Sequence, residues 1–167
     1  MQIAKQMGAH VTGVCFTPNL DLVRDLGADA AIDYTAQYFA ASGATYDIIM
    51  DCVAATSYRL SKSALARNGR FLAVAGGLPE LLGSLWPRRN GHRIKAGTGP
   101  ERLSDLSLLA DWARAGSYLP LIDSTFRFDQ IVAAHARVDS GRKRGSVVVT
   151  MALTDLASGA RTLKRRP

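Results

Sequence analysis

YDIIMDCVAATSYRLSKSALARNGRFLAVA, residues 46–75, decides the fold. Tyr46 to Val53 is a nearly continuous apolar segment, the composition of a strand buried on both faces of its sheet. Thr56 to Arg67 follows with Leu60, Ala64 and Leu65 on one helical face, and Asn68 and Gly69 end it. Arg70 to Ala75 is apolar again and closes on Gly76 and Gly77. Strand, helix, strand in that order predicts a parallel pair joined by a crossover helix.

The same alternation continues on both sides. Upstream, Gln2 to Gly8 has Ile3 and Met7 at helical spacing with Gly8 as a stop, and Val11 to Phe16 is a short strand broken by Pro18 and Asn19. Leu20 to Leu26 resumes helical spacing up to Gly27, and Ala30 to Tyr34 reads as another strand. Downstream, Pro79, Gly83, Pro87, Gly91, Gly97, Gly99 and Pro100 punctuate a stretch that reads as mobile, with one strand at Arg93 to Ala96. A helix from Leu103 to Ala113, a strand near Leu119 to Ile122, a helix from Asp129 to Ser140 and a last strand from Ser146 to Met151 complete the series. The fold class is α/β, a doubly wound parallel sheet.

The chain has 167 residues, 47% of them hydrophobic, enough for one domain with a buried core. The expected division is a domain over residues 1–151 and a basic, disordered tail over residues 152–167. No apolar run reaches the roughly 18 residues of a membrane span, and MQIAKQMGAH lacks the features of a signal peptide. Cys15 and Cys52 are isolated thiols, which fits a reducing, cytoplasmic setting better than disulfides or structural zinc. The net charge of +7 is concentrated in Arg142, Lys143 and Arg144, in Arg88, Arg89 and Arg93, and in Arg161, Lys164, Arg165 and Arg166. No aromatic residues interleave with these clusters, so they read as solvated turns and tail, and neither nucleic acid nor membrane is expected as a partner.

Five phrases in register, QIAKQMGAHVTGVC, DLVRDLGADAAIDY, YDIIMDCV, LARNGRFLAVAGG and GSVVVT, resemble the medium-chain dehydrogenase/reductase superfamily, in particular its zinc-free, quinone-reductase-like branch. The resemblance implies a Rossmann-like sheet that is incomplete here, because a first strand and a glycine-rich loop precede the QIAK helix in that family. Met1 stands where the resemblance implies an ordinary apolar helix residue, so the reading frame is expected to extend upstream. Without its first strand the sheet separates the strand at Val11 from the strand at Tyr46. The half-sheets then close up, accept a partner strand or leave the chain poorly folded, since each buried unpaired backbone group costs roughly 1–3 kcal/mol.

The resemblance also implies a function: a fragment of an NAD(P)H-dependent oxidoreductase that transfers hydride to a quinone or a related activated carbonyl or alkene. The alternative is a catalytically silent remnant that binds a nucleotide or dimerises, and a homodimer through the strand at Arg93 to Ala96 is the expected association. Thr17 and Asn19 follow the strand whose end offers ribose an Asp or Glu in NAD-specific enzymes. Neither stands there, which favours NADP, and Arg24 either reaches its phosphate or lies on a solvated helix face. Tyr34 either lies against the adenosine end or covers the core edge. Val53 and Ala54 match the loop passing the cofactor, and Gly76 and Gly77 either match glycines beside the nicotinamide or form a plain turn. Ser146 replaces a lysine common in the family. Cys52 is expected to be a buried structural thiol, no metal site is expected, and no residue is named as catalytic.

Overall fold

Phe71, with no exposed surface, sits at the centre of a small core made by Phe39, Ile49, Ala64, Leu65, Ala73 and Ile94. A computed structural model describes residues 1–83, 90–97 and 99–151. The expected tail, with Arg161, Lys164, Arg165 and Arg166, lies outside the described residues, as do Arg88 and Arg89.

The chain divides into two compact units, residues 1–109 and 110–167. In the first, helix α1 (Gln2–Gln6) leads into strand β1 (Thr12–Cys15), helix α2 (Leu20–Asp25) and strand β2 (Ala30–Asp33). Strands β1 and β2 form a parallel two-stranded ladder. Gly13 lets α2 lie close on β1, because a Cβ there would run into Cγ1 of the buried Val23. Lys5 Nζ reaches both oxygens of Asp29 at 2.7 and 2.8 Å, and the Val11 N–H donates to the same carboxylate at 2.6 Å. One aspartate thus ties α1 to the entry of both strands.

Strand β3 (Tyr46–Asp51), helix α3 (Tyr58–Ser61), strand β4 (Leu65–Ala73), helix α4 (Leu78–Gly83) and strand β5 (Arg93–Ala96) follow. The three strands form a separate parallel sheet in the order β3-β4-β5. The β1–β2 ladder and this sheet share no backbone pairing, which is the separation expected between the strands at Val11 and Tyr46. Side chains still connect them, since Ile32 of β2 packs on the core around Phe71.

Three local expectations change. Strand β3 is not buried on both faces: Ile48 and Met50 are 54% and 59% exposed while Ile49 and Asp51 are buried, so it alternates like a strand covered on one side. The helix expected to run to Arg67 stops early, because Leu65 already pairs with Tyr46, and Asn68 at φ 65° bends the long β4 before Arg70 takes up the ladder. The punctuated stretch after Gly77 contains α4, a helix its prolines and glycines hid.

Helix α5 (Leu103–Arg114) crosses the division between the units and ends at Gly116, whose φ of 71° no side-chain-bearing residue adopts readily. The second unit holds strand β6 (Ile122–Arg127), helix α6 (Ile131–Asp139) and strand β7 (Ser146–Thr150), with β6 and β7 parallel. β6 begins later than the apolar run Leu119–Ile122 suggests. Its anchor is Asp123, whose carboxylate side chain is 5% exposed and takes Arg137 Nε at 2.7 Å, Arg137 Nη2 at 2.6 Å and the Arg144 N–H at 2.8 Å. The basic turn between α6 and β7 is therefore fastened by a carboxylate rather than merely solvated.

Candidate functional site

In an open parallel sheet, ligands bind at the carboxyl ends of the strands. The residues marked from sequence fall there in two groups. Thr17, Asn19 and Tyr34 lie at the ends of β1 and β2, and Arg24 lies in the last turn of α2. Val53 and Ala54 leave the end of β3, and Gly76 and Gly77 follow β4, its ladder neighbour.

The first group is organised by an acid that sequence reading passed over. Asp33, the last residue of β2, accepts the Thr17 hydroxyl at 2.5 Å, the Thr35 hydroxyl at 2.6 Å and the Thr35 N–H at 2.8 Å. The Thr17 hydroxyl first, and then Thr35, hold its carboxyl below the ordinary range. Register brings it there: Cys15 pairs with Asp33, and the Tyr34 N–H donates to the Cys15 carbonyl at 3.1 Å. Burial foremost, and then the charge of Asp33, raise the Cys15 thiol pKa, with Arg24 partly offsetting them.

Tyr34 is 59% exposed and stacks on Phe16, itself 48% exposed, at 6.1 Å between ring centres. The pair forms an exposed aromatic ledge. Arg24 is paired with Asp21 at 2.9 Å along an exposed helix face. The Asn19 side-chain oxygen is buried and accepts no hydrogen bond among the described residues, an acceptor left open in the turn after β1.

The second group is organised by another aspartate. Asp51 is 7% exposed and accepts the N–H groups of Val53, Ala55 and Thr56 at 3.1, 3.1 and 3.0 Å. Wrapping the chain around this carboxylate gives Ala54 a φ of 56° and pushes Val53 outward to 76% exposure. It also exposes Cys52, against the expectation of a buried thiol, because the strand ends at Asp51 and the thiol belongs to the turn. The Val74 N–H donates to the Asp51 carbonyl at 2.9 Å, which fixes the β4 end beside the loop. Gly76 and Gly77 are exposed at that end. An aspartate closing an apolar strand before small residues was the available sign, since such side chains hydrogen-bond the backbone two or more residues on.

The arrangement offers exposed apolar surface, an open acceptor and backbone without bulky side chains, which suits a dinucleotide laid across strand ends. Among the described residues no three His, Cys, Asp or Glu are grouped so that they could hold a metal ion. Ser146, at the start of β7, is exposed and belongs to the other unit.

Comparison with known proteins agrees with this geometry. The family described as zinc-binding dehydrogenase matches residues 26–149. A trans-enoyl reductase, pgmF, of Aspergillus terreus is 32% identical, covering 89% of this chain and 47% of the relative. The chloroplastic quinone-oxidoreductase QR1 of Triphysaria versicolor is 30% identical with the same coverage. The chain thus spans about half the length of the curated relatives it matches. The structure of a quinone oxidoreductase from Coxiella burnetii superposes with a TM-score of 0.74 at 22% identity over 89% of this chain and 47% of that one, a likeness of fold. The chain belongs to the zinc-binding dehydrogenase family of the medium-chain dehydrogenase/reductase superfamily.

Proposed function

We propose that this chain forms the cofactor-holding part of an NADPH-dependent oxidoreductase acting on quinones or related activated carbonyl and alkene compounds. The observation that carries the reading is the Asp51 loop, which presents Val53 and Ala54 beside Gly76 and Gly77 at the ends of paired strands. When bound, the nicotinamide supplies the hydride. The chain's part is to hold and orient it: Thr17, Asn19 and Tyr34 at the adenosine end, and Val53, Ala54, Gly76 and Gly77 along the nicotinamide half.

NADPH is preferred in this reading because residues 16–19 bring no carboxylate to the end of β1. Asp33 is nearby, but the Thr17 and Thr35 hydroxyls and the Thr35 N–H already occupy its oxygens. Arg24 must leave Asp21 to meet a phosphate, an exchange that an exposed pair permits at little cost. The names of the two curated relatives, an enoyl reductase and a quinone oxidoreductase, support the substrate class. We place the protein in the cytoplasm on its two free thiols, and note that no helix among the described residues is long and apolar enough to cross a membrane. A homodimer through the outer edge of β5, the last strand of its sheet, completes the proposal.

The test is oxidation of NADPH by the purified protein in the presence of a quinone or an α,β-unsaturated ketone, followed at the nicotinamide absorbance. Acceptor-dependent oxidation supports the reading. Cofactor uptake without oxidation by any acceptor would replace it with nucleotide binding alone.

A further inference from the structure

A second site lies at the other end of the same sheet. Leu65, Arg67, Asn90 and His92 line an open cavity of about 370 Å³ where β4 and β5 begin, away from the strand ends assigned to the cofactor. That volume lies in the lower part of the range for small-ligand pockets. We propose that this cavity binds an oxyanion of the phosphate class.

Among the described residues of its wall, the polar side chains Arg67, Asn90 and His92 can each donate a hydrogen bond. His92 is 3% exposed, and its Nδ1 lies 3.2 Å from the Tyr58 hydroxyl. The Tyr58 ring is held in turn by edge contacts with His92 and with the fully buried Phe71, at 6.0 and 6.3 Å between centres. In the tautomer where that hydroxyl donates to Nδ1, Nε2 carries the imidazole proton and has no hydrogen-bond partner among the described residues. Arg67 adds an exposed guanidinium without a carboxylate partner among the described residues, and Asn90 adds a side-chain amide.

The frame around these groups is set before any ligand arrives. Asn68 and Gly91 both adopt left-handed backbone, φ 65° and 72°, and the Asn68 N–H donates to the Asn90 carbonyl at 3.2 Å. A Cβ at Gly91 would collide with the Asn68 side-chain oxygen, so the corner requires glycine. It holds Asn90 and His92 just ahead of β5 and Arg67 within β4 beside them. Arg70 and Arg93, exposed and partners in the backbone register, add positive charge near this end, against which stands Asp47 in the β3 bulge. An arginine, an asparagine and a histidine lining one open cavity, with a leucine as an apolar wall, fit a compact anion better than a cation or a neutral apolar ligand.

Inorganic phosphate is the probe, titrated into the full chain at constant ionic strength with chloride as the balancing salt. The His92 imidazole signals are read by two-dimensional NMR. Saturable shifts with phosphate and none with chloride are expected, and Arg67→Gln should weaken the site roughly tenfold or more, the loss of a charge-assisted hydrogen bond. Arg114→Gln, on α5, should leave the isotherm unchanged. The proposal is overturned if shifts fail to saturate by roughly 50 mM, an affinity below the weakest useful range, if chloride reproduces them, or if Arg67→Gln binds phosphate as the unsubstituted chain does. Arg67 is exposed, so this variant retains the fold, and a far-ultraviolet spectrum checks it. NADPH binding is not involved, so either outcome leaves the cofactor reading where it stood.

Discussion

Four aspartates do most of the local organising. Asp29, Asp33, Asp51 and Asp123 each collect backbone N–H groups or side-chain donors at a strand terminus. Asp51→Ala strands three N–H groups around a buried position and should cost about 2–4 kcal/mol, read as a lower urea midpoint; an unchanged midpoint would show that the loop stands without it. The site itself was only partly legible at this scale. Val53, Ala54, Gly76 and Gly77 were marked by the family resemblance. Asp33 and Asp51 were not, because only register and the path of the turn turn a strand-terminal acid into an organiser. The same lowered carboxylates fix the response to acid. Asp29, Asp33 and Asp123 have folded pKa values below their ordinary ones, Asp29 chiefly through Lys5 and Asp123 chiefly through Arg137. Their stabilisation is complete above the unfolded value of about 3.9 and is lost as pH falls through the folded values. Thermal scans should therefore be flat above about pH 5 and fall steeply below about pH 4, whereas Asp123→Asn should flatten the acid limb of the second unit.

At the scale of elements, the decisive feature is how closely a helix may approach its strands. Gly13→Ala forces a methyl group against Val23 and should cost about 1–3 kcal/mol by overpacking. Adding Val23→Ala to it should restore part of that loss, a coupling measured by a double-mutant cycle in urea; additive losses would mean that the two positions do not meet. Elements with strong periodicity were readable from sequence: α2, β5, α5 and β7 fall where hydrophobic spacing and the stops at Gly27 and Gly116 put them. Those set by tertiary context were not. Leu65 reads as a helical position, yet its burial at 6% exposure in the core and its pairing with Tyr46 draw it into β4. Ile48 and Met50 read as core because an apolar run carries no mark of which face will be covered.

For the molecule as a whole, the parallel strands were predictable from the alternation of elements, and they group into separate ladders, β1–β2, β3–β4–β5 and β6–β7. A sheet divided in this way should have uneven local stability. β4, paired on both sides, should hold its Phe71 to Ala73 amides longest in hydrogen exchange, while the alternate amides of β3 that face its open edge exchange far sooner. Equal protection across β3 and β4 would mean that a strand covers that edge in solution. The central claim, that these strand ends hold a nicotinamide dinucleotide, is tested most directly by calorimetric titration of the folded chain with NADPH and NADH, with secondary structure checked in the same sample. The account predicts saturable binding of one cofactor per chain, tighter for NADPH; a folded chain that binds neither would contradict it.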